Sequence, residues 1–171
     1  MKWLLWIGGG LVAAVGLMAA IGAMLPVRHH ATRRARYKAP ADAVYAILAG
    51  PPDWRPGVTS YGALPEEGGK RRWWEQDRHG RRVTFELAEA RPAERLRVRI
   101  VDTGLPFGGS WTFEIAPDLE GGSELRVTED GEVYNVIFRF MARYFLGYTT
   151  SIEAYLRDLG AKFGQPVDIE A

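Results

Sequence analysis

Cysteine is absent from the 171-residue chain. That excludes disulfides, thiolate metal sites, a cysteine nucleophile and a lipidated-cysteine anchor, while leaving the compartment open. Histidine is nearly absent: His29 and His30 are adjacent, and His79 stands in a glycine-bounded turn. Three histidines so distributed make no metal site, and no cofactor is expected. There is no nucleophile elbow, phosphate-binding glycine loop or dinucleotide fingerprint, since Gly8-Gly9-Gly10 lies inside an apolar run. Internal repeats and low-complexity tracts are missing too. Acids are missing from residues 1–38, which hold six of the 22 Lys/Arg; the other 16 face all 21 Asp/Glu, a net −5 for the body. A mildly acidic body argues against nucleic acid as a partner. The basic neck suits anionic lipid headgroups.

What is present begins with the apolar run. From Trp3 to Leu25 no residue is charged. As a helix it spans roughly 34 Å at 1.5 Å per residue, enough for a hydrocarbon core of about 30 Å. Trp3 and Trp6 mark its start, where indoles favour the headgroup boundary, and Pro26 ends it. A cleaved signal peptide is the rival reading, with Lys2 as its positive start and Ala20-Ile21-Gly22 as a poor cleavage site. The run is longer than a signal core of about 7–15 residues, and no polar stretch precedes the supposed cut. The expected organisation is a transmembrane anchor over 3–25, a basic juxtamembrane linker over 26–33, one domain over 34–165 and a tail over 166–171. Arg28, Arg33, Arg34, Arg36 and Lys38 outweigh Lys2 and the amino terminus, so the positive-inside bias places the domain in the cytoplasm.

The domain reads as α+β. Thr32 to Lys38 is a first strand, and Pro40 opens a short helix carrying Val44, Ile47 and Leu48. Gly50-Pro51-Pro52 breaks that helix ahead of a turn at Asp53-Trp54-Arg55-Pro56. Period-two runs follow: Lys70 to Asp77, Val83 to Glu89, Arg95 to Ile100, Trp111 to Ile115, and Leu125 with Val127 after a turn at Glu120-Gly121-Gly122-Ser123. Their short connections point to antiparallel hairpins. From Asn135 the period becomes 3.6, with Met141, Tyr144, Phe145, Tyr148, Ile152, Tyr155, Leu156, Leu159 and Phe163 on one stripe. One long amphipathic helix is expected, ending near Gly164-Gln165-Pro166. A curved antiparallel sheet wrapped around that helix is the architecture implied.

Three passages carry a resemblance: Tyr37-Lys38-Ala39-Pro40-Ala41-Asp42-Ala43-Val44-Tyr45-Ala46-Ile47-Leu48, Gly108-Gly109-Ser110-Trp111, and Thr128-Glu129-Asp130-Gly131-Glu132. They resemble the START-like (SRPBCC, helix-grip) superfamily, which includes polyketide cyclase/dehydrase-like proteins and pollen-allergen-type ligand carriers. The likeness covers roughly residues 31–164. It implies a deep cavity between sheet and long helix that takes an apolar ligand. It implies no catalytic motif, because the superfamily hosts both carriers and enzymes.

On that expectation Trp73, Phe85, Leu87, Val98, Ile100, Trp111 and Phe113 on the sheet face Met141, Tyr144, Tyr148 and Ile152 on the helix. Such a surface suits an apolar small molecule or lipid; equally, these residues fill an ordinary core. Glu75, in register with Trp73, and Glu129, in register with Leu125 and Val127, are candidate inward acids. Burial would raise their pKa values and suit proton transfer, whereas Arg139 would instead hold Glu129 in an ion pair. His79 reads as a solvated turn residue. Lys70-Arg71-Arg72 and Arg78/Arg81-Arg82 flank one hairpin around Trp73 and Trp74, as a charged edge against aggregation or a membrane- or RNA-touching patch. Three functions stay open. The leading one is membrane-tethered binding or carriage of a small apolar molecule or lipid, which needs no catalytic group. The second is a cyclase- or dehydratase-like enzyme using the inward acids, and the third a non-catalytic interaction module with a filled core.

Overall fold

A computed structural model describes residues 2–119 and 121–171; Glu120, expected in a turn, and the side chains of Lys2, Leu4 and Leu5 lie outside the described residues. The chain begins with α1 (Lys2–Met24), whose span Trp6–Met24 is long and apolar enough to cross a membrane. Strand β1 (Arg28–Tyr37) follows, then α2 (Ala41–Ala49) and a single 3-10 turn at Pro52–Trp54. Five further strands come in sequence: β2 (Val58–Glu67), β3 (Lys70–Asp77), β4 (Arg82–Arg91), β5 (Arg95–Ile100) and β6 (Phe107–Pro117). After β7 (Ser123–Val133) come α3 (Val136–Met141), a π turn (Ala142–Leu146), α4 (Thr150–Lys162) and the two-residue β8 (Ile169–Glu170).

The strands form one antiparallel sheet in the order β2-β3-β4-β5-β6-β7-β1-β8. Sequential hairpins build β2 through β7, and β1 closes the order by pairing with β7 from Arg28↔Glu132 to Tyr37↔Ser123. The α+β helix-grip architecture expected from the sequence is therefore present. α4 lies on the concave side and buries Ile152, Leu156 and Leu159 completely against Ala35, Phe113, Leu125 and Val127. Each of those three side chains stabilises the fold by about 1.5–3 kcal/mol through burial. Two polar ties fix the helix in place: the Tyr37 hydroxyl donates to the Leu156 carbonyl at 2.9 Å, and Arg33 Nε meets Glu153 Oε1 at 3.2 Å.

Several elements differ from the reading of the sequence, each for a physical reason. β1 begins at Arg28, so residues 28–33, expected in a linker, are strand. Their charge masked a period of two in which Ala31, Ala35 and Tyr37 point inward. β2 gave no clear signal, because Gly62 and Pro65 interrupt its alternation; at the sheet's edge, a proline without an N–H is tolerated. The long helix expected from Asn135 is broken at Gly147, whose φ of +75° belongs to the left-handed region that favours glycine. That break turns Tyr144 and Phe145 outward, 57% and 69% exposed, rather than onto the core stripe. Within the expected tail, Ile169 and Glu170 pair with Ala35 and Arg34 of β1.

Candidate binding cavity

Curvature leaves α4 seated against β6, β7 and β1, and the space over β3 to β6 stays open. There lies a cavity of about 600 Å³, within the size range of small-molecule sites. Its floor is a patch of cross-strand partners. Trp73 stands opposite Phe85, which pairs with Ile100, and Val98 stands opposite Trp111. The Trp73 and Phe85 rings stack at 5.7 Å. Tyr155 of α4 forms one wall and packs edge-on against Trp111 (5.5 Å) and Trp54 (5.3 Å). Leu48, Pro51 and Pro52 complete it from the end of α2.

Two polar pairs interrupt this apolar lining, one toward each side of the sheet. On β3, Glu75 is buried; its Oε2 accepts from Arg55 Nη1 at 2.7 Å and its Oε1 from Trp73 Nε1 at 3.0 Å. The Arg55 guanidinium also lies 5.1 Å from the Tyr155 ring centroid. Burial pushes the Tyr155 hydroxyl well above its ordinary range, against the opposing pull of Arg55 and with a further push from Glu75. Tyr155 is thus a neutral hydroxyl across the physiological range.

The second pair comes from β1 and β7. Glu129 faces the cavity, and its Oε1 lies 3.4 Å from His29 Nε2. The His29 ring stacks on Tyr148 at 4.2 Å with the planes 16° apart. Space for that ring comes from its cross-strand partner Gly131, which pairs in turn with Gly109. A Cβ on Gly131 would collide with His29 Cε1 and Nε2, and Gly109 holds φ +121° against the backbone of Asp130. The backbone at Gly109 favours glycine, whereas Gly131 is constrained by the ring beside it. Glu129 Oε2 and His29 Nδ1 are sealed from solvent with no hydrogen-bond partner among the described residues.

Of the residues singled out in the sequence, Trp73, Phe85, Val98, Ile100, Trp111 and Phe113 come together around the cavity, as do Glu75 and Glu129. The others do not line it. Leu87 packs on the core, Ile152 lies wholly within it, Tyr148 backs His29, Met141 sits in α3 and Tyr144 is exposed. Arg139 does not hold Glu129; its Nη1 donates to the Leu25 carbonyl at 2.8 Å. His79 is exposed in the β3–β4 turn, where its backbone N–H donates to Asp77 Oδ1. The basic residues of that hairpin are engaged within the chain, as in the Lys70–Glu86 pair and Arg82 over Trp74. Sequence reasoning missed His29, Trp54 and Arg55. The inward alternation of Ala31, Ala35 and Tyr37 carried the signal for His29; for Trp54 and Arg55, in an irregular turn, there was none.

The model of the polyketide cyclase / dehydrase and lipid transport family matches residues 28–163. The chain belongs to that family. The matched segment starts at the first residue of β1 and leaves α1 outside. Several solved structures share the fold. A protein of Bacillus thuringiensis is 16% identical with a TM-score of 0.62, over 80% of this chain and 100% of its own. Norcoclaurine synthase of Thalictrum flavum is 12% identical with a TM-score of 0.61, over 80% and 87%. A Chromobacterium violaceum protein is 21% identical with a TM-score of 0.52, over 81% and 97%. At such identities the likeness establishes the fold alone. No curated protein matches the chain significantly in sequence.

Proposed function

We propose that the protein binds a small apolar molecule or lipid in the cavity between the sheet and α4, while α1 tethers it to a membrane. The observation that carries this reading is the cavity of about 600 Å³ with a floor of Trp73, Phe85, Val98, Ile100 and Trp111. A filled interaction module has no such space. The Arg55–Glu75 and His29–Glu129 pairs supply the few polar points that orient a ligand in an otherwise apolar site. Tethering is supported by the length and hydropathy of α1 and by the exposure of most of its surface. The five Lys/Arg between Arg28 and Lys38 favour a cytoplasmic domain.

Native mass spectrometry with lipid extraction on the full chain tests the reading. A co-purifying apolar species is expected, and Val98→Trp, which fills the floor, is expected to abolish it. A chain that emerges empty and takes up no fatty acid or phospholipid probe overturns it. Proton-transfer catalysis is the second reading, favoured by the presence of Glu75 and Glu129 at the cavity wall. It requires turnover that Glu129→Gln removes while ligand binding persists.

A further inference from the structure

Outside α1, exposed large apolar side chains concentrate on α3 and the π turn. Phe138, Tyr144, Phe145 and Leu146 are 48–69% exposed within nine residues of chain. Clusters of this kind mark an interaction surface. Its place in the fold identifies the partner.

α3 packs against the C-terminal end of α1. Gly22 touches the backbone of Val136 so closely that no Cβ fits between them, and Arg139 from α3 binds the Leu25 carbonyl. On α1, Gly22 is buried and Met18, Ala19 and Ile21 are partly covered, whereas Leu11, Val12 and Leu17 are open. The covered stretch from Met18 to Leu25 reaches roughly 10 Å back along the helix. A membrane that surrounds α1 therefore meets α3 at the depth where interfacial helices lie, about 5–10 Å into the headgroup and acyl boundary. Charge agrees with position: residues 133–152 contain no acid, and Arg143 is exposed beside the aromatic cluster, an arrangement suited to anionic headgroups.

We propose that the segment Val136–Leu146 is a second membrane contact, a wedge of aromatic and leucine side chains that enters the headgroup–acyl boundary beside α1. This rests on α1 being a membrane span. The wedge has a consequence for the cavity. Val133 and Ser151, the residues on either side of the wedge and its flanking turns, both line the cavity. The bilayer is thereby held against the cavity rim, and an apolar ligand passes between lipid and protein without crossing water.

The absence of cysteine makes the test direct. Single substitutions Phe145→Cys and Leu146→Cys, both at exposed sites, are labelled with bimane in the full chain. The protein is placed in nanodiscs of phosphatidylcholine and phosphatidylglycerol carrying nitroxide-labelled lipid. Val12→Cys reports on the α1 span and Glu66→Cys on a solvent-facing strand. Shallow nitroxides are expected to quench the labels at 145 and 146 at least about three-fold more than the label at 66. Quenching at 12 without quenching at 145 and 146 overturns the wedge and leaves the tether standing. No quenching at 12 removes the tether and the wedge with it. Blue-shifted emission at 145 that no nitroxide lipid quenches means that protein covers the patch, and this too overturns the proposal.

Discussion

Replacing both members of the His29–Glu129 pair by apolar residues should stabilise the protein. The two side chains are 11% and 17% exposed, and their one mutual contact, 3.4 Å, is longer than the 2.7–2.9 Å typical of a charge-assisted bond. Two further polar atoms, Glu129 Oε2 and His29 Nδ1, are buried without partners. Each such atom costs about 1–3 kcal/mol. Allowing for the attraction that is lost, the double change His29→Leu with Glu129→Met should gain about 1–4 kcal/mol. In a chain of this size that raises Tm by about 2–4 °C per kcal/mol. The single changes should differ. His29→Leu strands a carboxylate in an apolar wall and should lose about 3–5 kcal/mol. Glu129→Met should be milder, because it removes the buried carboxylate and leaves the imidazole stacked on Tyr148. Thermal unfolding of the full chain in nanodiscs, followed by near-ultraviolet circular dichroism, measures the cycle. A double variant less stable than the parent by more than about 1 kcal/mol would refute the reasoning, since the pair would then hold the fold together rather than strain it.

Other expectations follow from the packing. Leu156→Ala, at a site with no exposure in contact with the core, should cost about 2–5 kcal/mol in denaturant unfolding, and a cost under 1 kcal/mol would contradict the burial described. Phe113→Ala, nearly fully buried, should cost about 3–5 kcal/mol, whereas Trp111→Ala, only partly buried, should cost less than its size implies; equal losses would argue for a filled interior. Gly131→Ala should displace the His29 ring and shift its nuclear magnetic resonance signals while leaving the β1–β7 ladder in place. Glu153 has its pKa lowered by the Arg33 bond, with Thr149 and Arg157 adding to it. A depressed carboxylate contributes stability that is complete at neutral pH and is lost as pH falls through its folded pKa. Glu153→Gln should therefore flatten the acid limb of the stability–pH profile, and an unchanged limb would show that the pair contributes nothing there.

Strands such as Arg95–Ile100, where apolar and arginine residues alternate strictly, were legible because a half-buried sheet imposes that period on the chain itself. The floor of the cavity was legible for the same reason: once Phe85, Val98 and Trp111 are known to share a face, antiparallel pairing brings them together. α4 was readable from Ile152, Leu156 and Leu159, which recur at helical spacing. The family match over residues 28–163 agrees with the resemblance carried by the strand-to-helix passage from Tyr37 to Leu48. The apolar run of α1 was plain, since length and hydropathy are additive properties of neighbouring residues.

Other features depended on contacts between residues far apart in the chain. The helical stripe continued through Tyr144 and Phe145, but one left-handed glycine at 147 redirected it, and the periodicity of side chains carries no trace of a backbone turn. His29 became a cavity residue through Gly131, about 100 positions away, whose missing side chain leaves room for its ring. Arg139 turned away from Glu129 to the end of α1 because the α1–α3 packing supplied a free carbonyl within reach. Local patterning thus determined the strands, α4 and the face each residue shows, because those follow from neighbours along the chain. Which charged groups meet in the cavity, and where the exposed aromatics lie relative to α1, were decided only by tertiary packing, because steric room and unpaired backbone groups exist only once distant segments are brought together.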